Sequence, residues 1–88
     1  MYYGHVKSGD VLLKGMRRKG SGFSVSLFYI SSGKNVDMPL SEVYKLLSSV
    51  SSYNISSKFY SVMSIAAPKM FISRIKGDIR MGKCVITN

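Results

Sequence analysis

The sequence predicts an α+β fold: a small antiparallel sheet of five or six strands with one helix at about residues 39–50. Three observations lead there. Phe23, Val25, Leu27 and Tyr29 alternate with Ser24 and Ser26 early in that run, the period of a strand buried on one face. Leu40, Val43, Tyr44, Leu47 and Val50 recur at helical spacing and make one apolar stripe. The other apolar runs are short, rich in aromatic and β-branched residues, and separated by Gly, Ser and Asn turn signals. A chain of 88 residues builds one modest core, so residues 1–88 are read as a single domain.

Taken in order, residues 1–6 form a short aromatic run that reads as a first strand, weakened by Gly4 and closed by the Lys7-Ser8-Gly9-Asp10 turn. If it is extended, Tyr2 and Tyr3 point to opposite faces and one of them meets solvent. Residues 10–16 form the first arm of a β-hairpin and residues 23–30 the second. Between the apolar runs 11–13 and 23–30 lie four cations, Lys14, Arg17, Arg18 and Lys19, and three glycines, Gly15, Gly20 and Gly22. Glycines supply the positive φ angles that hairpin connections need. Ser31-Ser32-Gly33-Lys34-Asn35 is a turn, and Val36 with Met38 makes a short third strand.

The helix comes next, with Pro39 suited to its first turn and Asp37 placed to complement its dipole. Serines at 48, 49, 51 and 52 end it, and residues 53–57 read as loop. Residues 58–65 and 70–75 are rich in strand-forming residues and predict two further strands, interrupted by Ala66-Ala67-Pro68-Lys69. Gly77-Asp78 offers a tight turn before a last strand over residues 79–86. Arg74, Lys76, Arg80 and Lys83 load this C-terminal hairpin with charge. The order β-β-β-α-β-β fits a closed OB-like barrel, and equally an open antiparallel sheet packed by one helix.

Composition narrows the function classes. Net charge is +9, from 13 basic and 4 acidic residues. Such an excess repels itself in the compact state and marks chains that meet nucleic acid, anionic lipid or an acidic protein face; it also keeps a protein soluble. A lone Cys84 permits no internal disulfide and fits a reducing compartment. With His5 as the one histidine, no metal site is expected, and no cofactor. No apolar run approaches twenty residues and no signal peptide is evident, so an intracellular, cytoplasmic location without membrane attachment is expected.

Catalysis is not expected either. Asp10, Asp37, Glu42 and Asp78 each sit at a turn or helix start, where structural reasons suffice. The glycine-rich stretch lacks the Gly-Lys-Ser/Thr of a phosphate-cradling loop. Nucleic-acid binding is the sharper expectation, with single strands favoured over duplex. A single-strand groove needs cations that track phosphates and aromatic faces on which bases stack. Lys14, Arg17, Arg18 and Lys19 supply the cations, aided by Arg74, Lys76 and Arg80; Phe23 and the tyrosines Tyr2, Tyr3 and Tyr53 are candidates for stacking or interaction. The competing claim on the aromatics is the core, which in a chain without tryptophan draws on Phe and Tyr.

Gly15-Met16-Arg17-Arg18-Lys19-Gly20-Ser21-Gly22-Phe23-Ser24-Val25 resembles the DNA-binding wing of the small single-stranded-DNA-binding proteins of filamentous phages. Phe59-Tyr60-Ser61-Val62 and Phe71-Ile72-Ser73-Arg74-Ile75 look like that family's late strands. The resemblance covers about a third of the chain. It implies a dimeric barrel coating single-stranded viral DNA, with Arg18 as the wing cation and Phe23 opening the returning strand. The chain departs from the pattern at Gly22, where the family tends to have proline, and in the helix, which has no counterpart there. A homodimer is compatible with the sequence. A second class of reading stays open: an inhibitor of the phage or mobile-element kind, anti-CRISPR proteins among them, that covers an acidic surface of a host protein complex. Such proteins are often single α+β domains of skewed charge.

Overall fold

In the computed structural model, which describes residues 6–88, the strongest sequence signal becomes the centre of a sheet. The chain runs β1 (Val11–Lys19), β2 (Gly22–Tyr29), β3 (Lys34–Pro39), α1 (Leu40–Ser49), β4 (Tyr53–Ser56), α2 (Ser57–Ala66), α3 (Lys69–Arg80) and β5 (Cys84–Thr87). The five strands form one sheet in the order β3-β2-β1-β4-β5. The fold is α+β, as the periodicities predict. Two particulars differ from expectation. The sheet is mixed, since β1–β4 and β4–β5 pair in parallel. Among the described residues there are three helices where the periodicities predict one. Of the two architectures that the predicted order allowed, the described residues show the open sheet, with β3 and β5 at its edges.

The core arises from strand alternation. Val11, Leu13, Val25, Leu27, Met38, Tyr53, Ile55 and Cys84 line one face of the sheet and are buried. Onto that face α1 brings Val43, Leu46 and Leu47, α2 brings Phe59 and Met63, and α3 brings Phe71 and Ile75. Phe71 ties the helices together: its ring lies edge-on to Tyr44 at 6.0 Å and tilted against Phe59 at 6.5 Å. Each such side chain contributes about 1.5–3 kcal/mol on burial.

Two expected strands are helices, and local chemistry explains both. Residues 58–65 lie within α2, where Ser56 is the N-cap and its Oγ accepts from the Phe59 amide at 3.1 Å. Phe59 and Met63 are four residues apart, so both reach the sheet from one helix face. Residues 70–75, with the Gly77-Asp78 turn, lie within α3, where Phe71 and Ile75 repeat that spacing and Pro68 stands at the start. Strand propensity records how a residue fits a half-buried pleated surface, and here burial against the sheet overrides it. The expected last strand shrinks to β5, because α3 continues to Arg80 and turns at Gly82, whose φ is +80°. Conversely, the expected loop over residues 53–57 holds β4, pinned to the start of β1 by Asn54 Nδ2, which donates to Gly9 O (2.8 Å) and Val11 O (3.2 Å).

Of the expected strand over residues 1–6, all but Val6 lies outside the described residues, Tyr2, Tyr3 and His5 included. Among the described residues, no helix is long and apolar enough to cross a membrane.

Candidate nucleic-acid interface

The basic stretch forms the hairpin that the glycines and flanking apolar runs predict. Lys19 pairs with Gly22, which leaves Gly20-Ser21 as a two-residue connection. Gly20 adopts φ +60°, as the first position of a type II′ turn requires. Gly15 and Gly22 have no positive φ, so of the three glycines only Gly20 is needed for its backbone freedom. From Arg17 to Gly22 every residue is exposed, so the tip stands clear of the core that begins at Val25.

A bulge sets which cation faces where. Leu13 pairs with Leu27 but Gly15 pairs with Ser26, so Lys14 is the extra residue of β1. One added residue reverses the facing of the rest of the strand and increases its twist. Met16 and Arg18 therefore lie on the helix side of the sheet, opposite Val25 and Phe23, and Arg17 and Lys19 lie on the open side. The tip is basic on both faces. Residues 14–19 extend this over about 16 Å.

The cations have soft partners. Arg18 stacks over the half-buried Phe23 ring, its guanidinium carbon 5.2 Å from the centroid. Lys14 Nζ lies 5.6 Å from the Phe28 centroid and 3.5 Å from Asn35 Oδ1. Arg17 Nη2 lies 3.5 Å from Asp37 Oδ2, with both side chains more than half exposed. A pair in such surroundings is worth less than about 1 kcal/mol and is easily exchanged for another anion. Beside the tip is a concavity of about 310 Å³, lined by Lys19, Gly22, Phe23, Ser24, Asp37 and Pro39.

The remaining expected residues are placed otherwise. Arg74 belongs to α3, where its Nε donates to Asp78 Oδ2 at 3.1 Å and its Nη2 to Ser48 Oγ at 3.2 Å, so it holds helices together. Lys76 and Arg80 belong to α3, which packs on α2 and β5 and not on the hairpin. The basic C-terminal hairpin does not exist, because its first arm is helical. Tyr53 is corrected too: it is fully buried, and its hydroxyl donates to Asp78 at 2.5 Å. Burial, and then the neighbouring carboxylate, push its pKa far up. It offers no face for stacking. Tyr2 and Tyr3 lie outside the described residues.

Two residues join the region that sequence reasoning did not assign to it. Asp37, expected at a helix start, lies in β3 opposite Ser26, whose Oγ donates to it at 3.1 Å. Counting the β2–β3 register back from the Gly33 turn could have found it. Lys58 reaches a groove shared with Lys14 because α2 is a helix, which no local signal paired with β1. Among the described residues no group of three or more His, Cys, Asp or Glu could hold a metal ion. Comparison with protein-family models, curated proteins and solved structures gives no match, so the geometry of the chain carries the functional argument.

Proposed function

We propose that this protein binds nucleic acid, single strands in preference to duplex, through the β1–β2 hairpin. The observation that carries the reading is the tip itself: Arg17, Arg18 and Lys19 project from both faces of an exposed two-stranded ribbon. Mutual repulsion there is relieved by a polyanion. Phe23 and Phe28, half-buried beside Arg18 and Lys14, offer ring faces next to the phosphate-binding cations. Arg18 and Phe23 belong to the stretch that resembles the filamentous-phage wing, and the register sets them opposite each other, whereas the segments resembling that family's late strands lie in α2 and α3.

The test is fluorescence anisotropy with a labelled oligonucleotide of about 20 nucleotides, single- and double-stranded, at two salt concentrations. If about four phosphates are neutralised, single-strand affinity falls roughly sevenfold for each doubling of salt. The Arg17→Ala/Arg18→Ala double variant, folded as judged by circular dichroism, weakens binding at low salt. Equal binding by that variant would remove the hairpin from the site. No binding even at low salt would discard nucleic acid and turn attention to an acidic protein surface.

A further inference from the structure

Strand β1 is longer than the partner on its second side. β4 pairs with it only at Leu12 and Leu13 and ends at Ser56, where the chain turns into α2. From residue 15 to residue 19 β1 has β2 on one side, and among the described residues no strand on the other. The backbone there keeps a row of unpaired groups, as any free edge does.

That edge borders an apolar groove. A cleft of about 470 Å³ runs between it and α2, with Leu12 and Met16 on the strand side and Phe59, Val62 and Ala66 on the helix side. Lys14 and Lys58 stand at its rim. The apolar surface continues outward: Val62 is 49% exposed and Ile65, on the same helix, 88%. Cations alone on an edge strand are a common guard against aggregation. A guarded edge has no need of an exposed apolar helix face beside it, and the two together describe a slot for a chain.

We propose that this slot binds an extended, acidic segment of a partner protein, which adds to the sheet as a strand beside residues 15–19, in line with β4. The geometry specifies its pattern. Successive side chains of an added strand point alternately to the two sheet faces. Those on the helix side meet Met16, Phe59 and Val62 and are therefore apolar. Those on the open side pass Lys14, the hairpin cation that lines the cleft, and are therefore Asp or Glu; Arg17 and Lys19 lean the other way, over β2 toward Asp37. A second copy of this chain is the poorer occupant on charge, because pairing the same edges would bring the Arg17, Arg18 and Lys19 clusters of both copies together. The strand lies along the same β1 residues that carry the hairpin cations, so the two proposals are told apart by Val62→Glu, on α2, and by the Arg17→Ala/Arg18→Ala variant.

The experiment uses the full chain and three labelled synthetic peptides of about seven residues. One alternates glutamate with valine and isoleucine, one has the same composition in two blocks, and one alternates but carries backbone N-methyl groups. Anisotropy is expected to show binding by the alternating peptide and at least about fivefold weaker binding by the other two. Amide hydrogen exchange of residues 15–19 is expected to slow when the alternating peptide is present. Val62→Glu, at an exposed position the fold tolerates, is expected to abolish peptide binding and leave oligonucleotide binding intact. Equal binding of the block or N-methylated peptide, or unchanged exchange at residues 15–19, would overturn the proposal. So would peptide binding unaffected by Val62→Glu, or a dimer in sedimentation that Val62→Glu dissociates.

Discussion

At the residue scale, the interface is decided by what each cation already touches. Arg18 rests on an aromatic ring and Arg17 on Asp37, contacts weak enough for phosphate to replace or supplement. Asp37→Asn removes the nearest negative charge and frees Arg17, so single-strand affinity at low salt is expected to rise about two- to fivefold and the gain to fade as salt screens it. An anisotropy titration at two salt concentrations reads both effects. The buried polar cluster behaves differently. Asp78 accepts from Tyr53 and from Arg74 in a site with almost no solvent, so each bond matters to the fold. Tyr53→Phe leaves a carboxylate oxygen short of a donor and is expected to cost about 1–3 kcal/mol in denaturant unfolding, with oligonucleotide binding unchanged. Nearby, burial pushes the Cys84 thiol up to about 11. An acid whose folded pKa exceeds its unfolded one stabilises the fold below the unfolded value, and that contribution is lost as pH rises through the folded one. Stability is therefore expected to fall between roughly pH 8.5 and pH 11, with Tyr53 adding a loss of the same sign at higher pH. Cys84→Ala flattens the first part of that decline, which unfolding curves across the range would show.

At the element scale, legibility in the sequence tracked how local the deciding interaction is. The hairpin, β3 and α1 were readable because their turns and periodicities lie within a few residues: Gly20, Gly33 and Pro39 mark their ends. α2 and α3 were not, because their aromatic and β-branched content suits strands, and what selects helix is a cap at Ser56 plus burial against a distant sheet. The four-residue spacing of Phe59 and Met63, and of Phe71 and Ile75, was the available signal. The parallel placement of β4 between β1 and β5 has no local signature at all. The candidate site divides the same way. The tip cations and Phe23 were legible as one contiguous stretch, and Arg74 and Tyr53 were misplaced because Asp78, which holds them both, joins elements far apart in the chain. Gly77 turns this into a measurement. It sits inside α3, and a methyl group there meets nothing within 4 Å. Gly77→Ala is expected to stabilise the protein by about 0.5–1 kcal/mol, visible as a raised Tm. A loss of stability would restore the turn that the sequence suggested.

At the scale of the whole molecule, the arrangement separates duties. Helices cover one face of the sheet and make the core, while the hairpin tip stands clear of it with a dense share of the positive charge. With 13 cations against 4 anions, and with Asp78 buried, the surface field is positive and attracts polyanions from solution. That field draws partners in without choosing among them. On the two proposals, choice falls to the tip, where charge and ring faces coincide, and to the slot beside β1, where charge and apolar surface coincide.

The most direct test of hairpin-mediated binding is an amide chemical-shift titration of the isotopically labelled protein with a short single-stranded oligonucleotide. Perturbed amides are expected to cluster in residues 14–23 and around Phe28 and Asp37, while α3 resonances, Lys76 and Arg80 among them, stay in place. Perturbations confined to α3, or none at concentrations where the hairpin cations should be occupied, would contradict it.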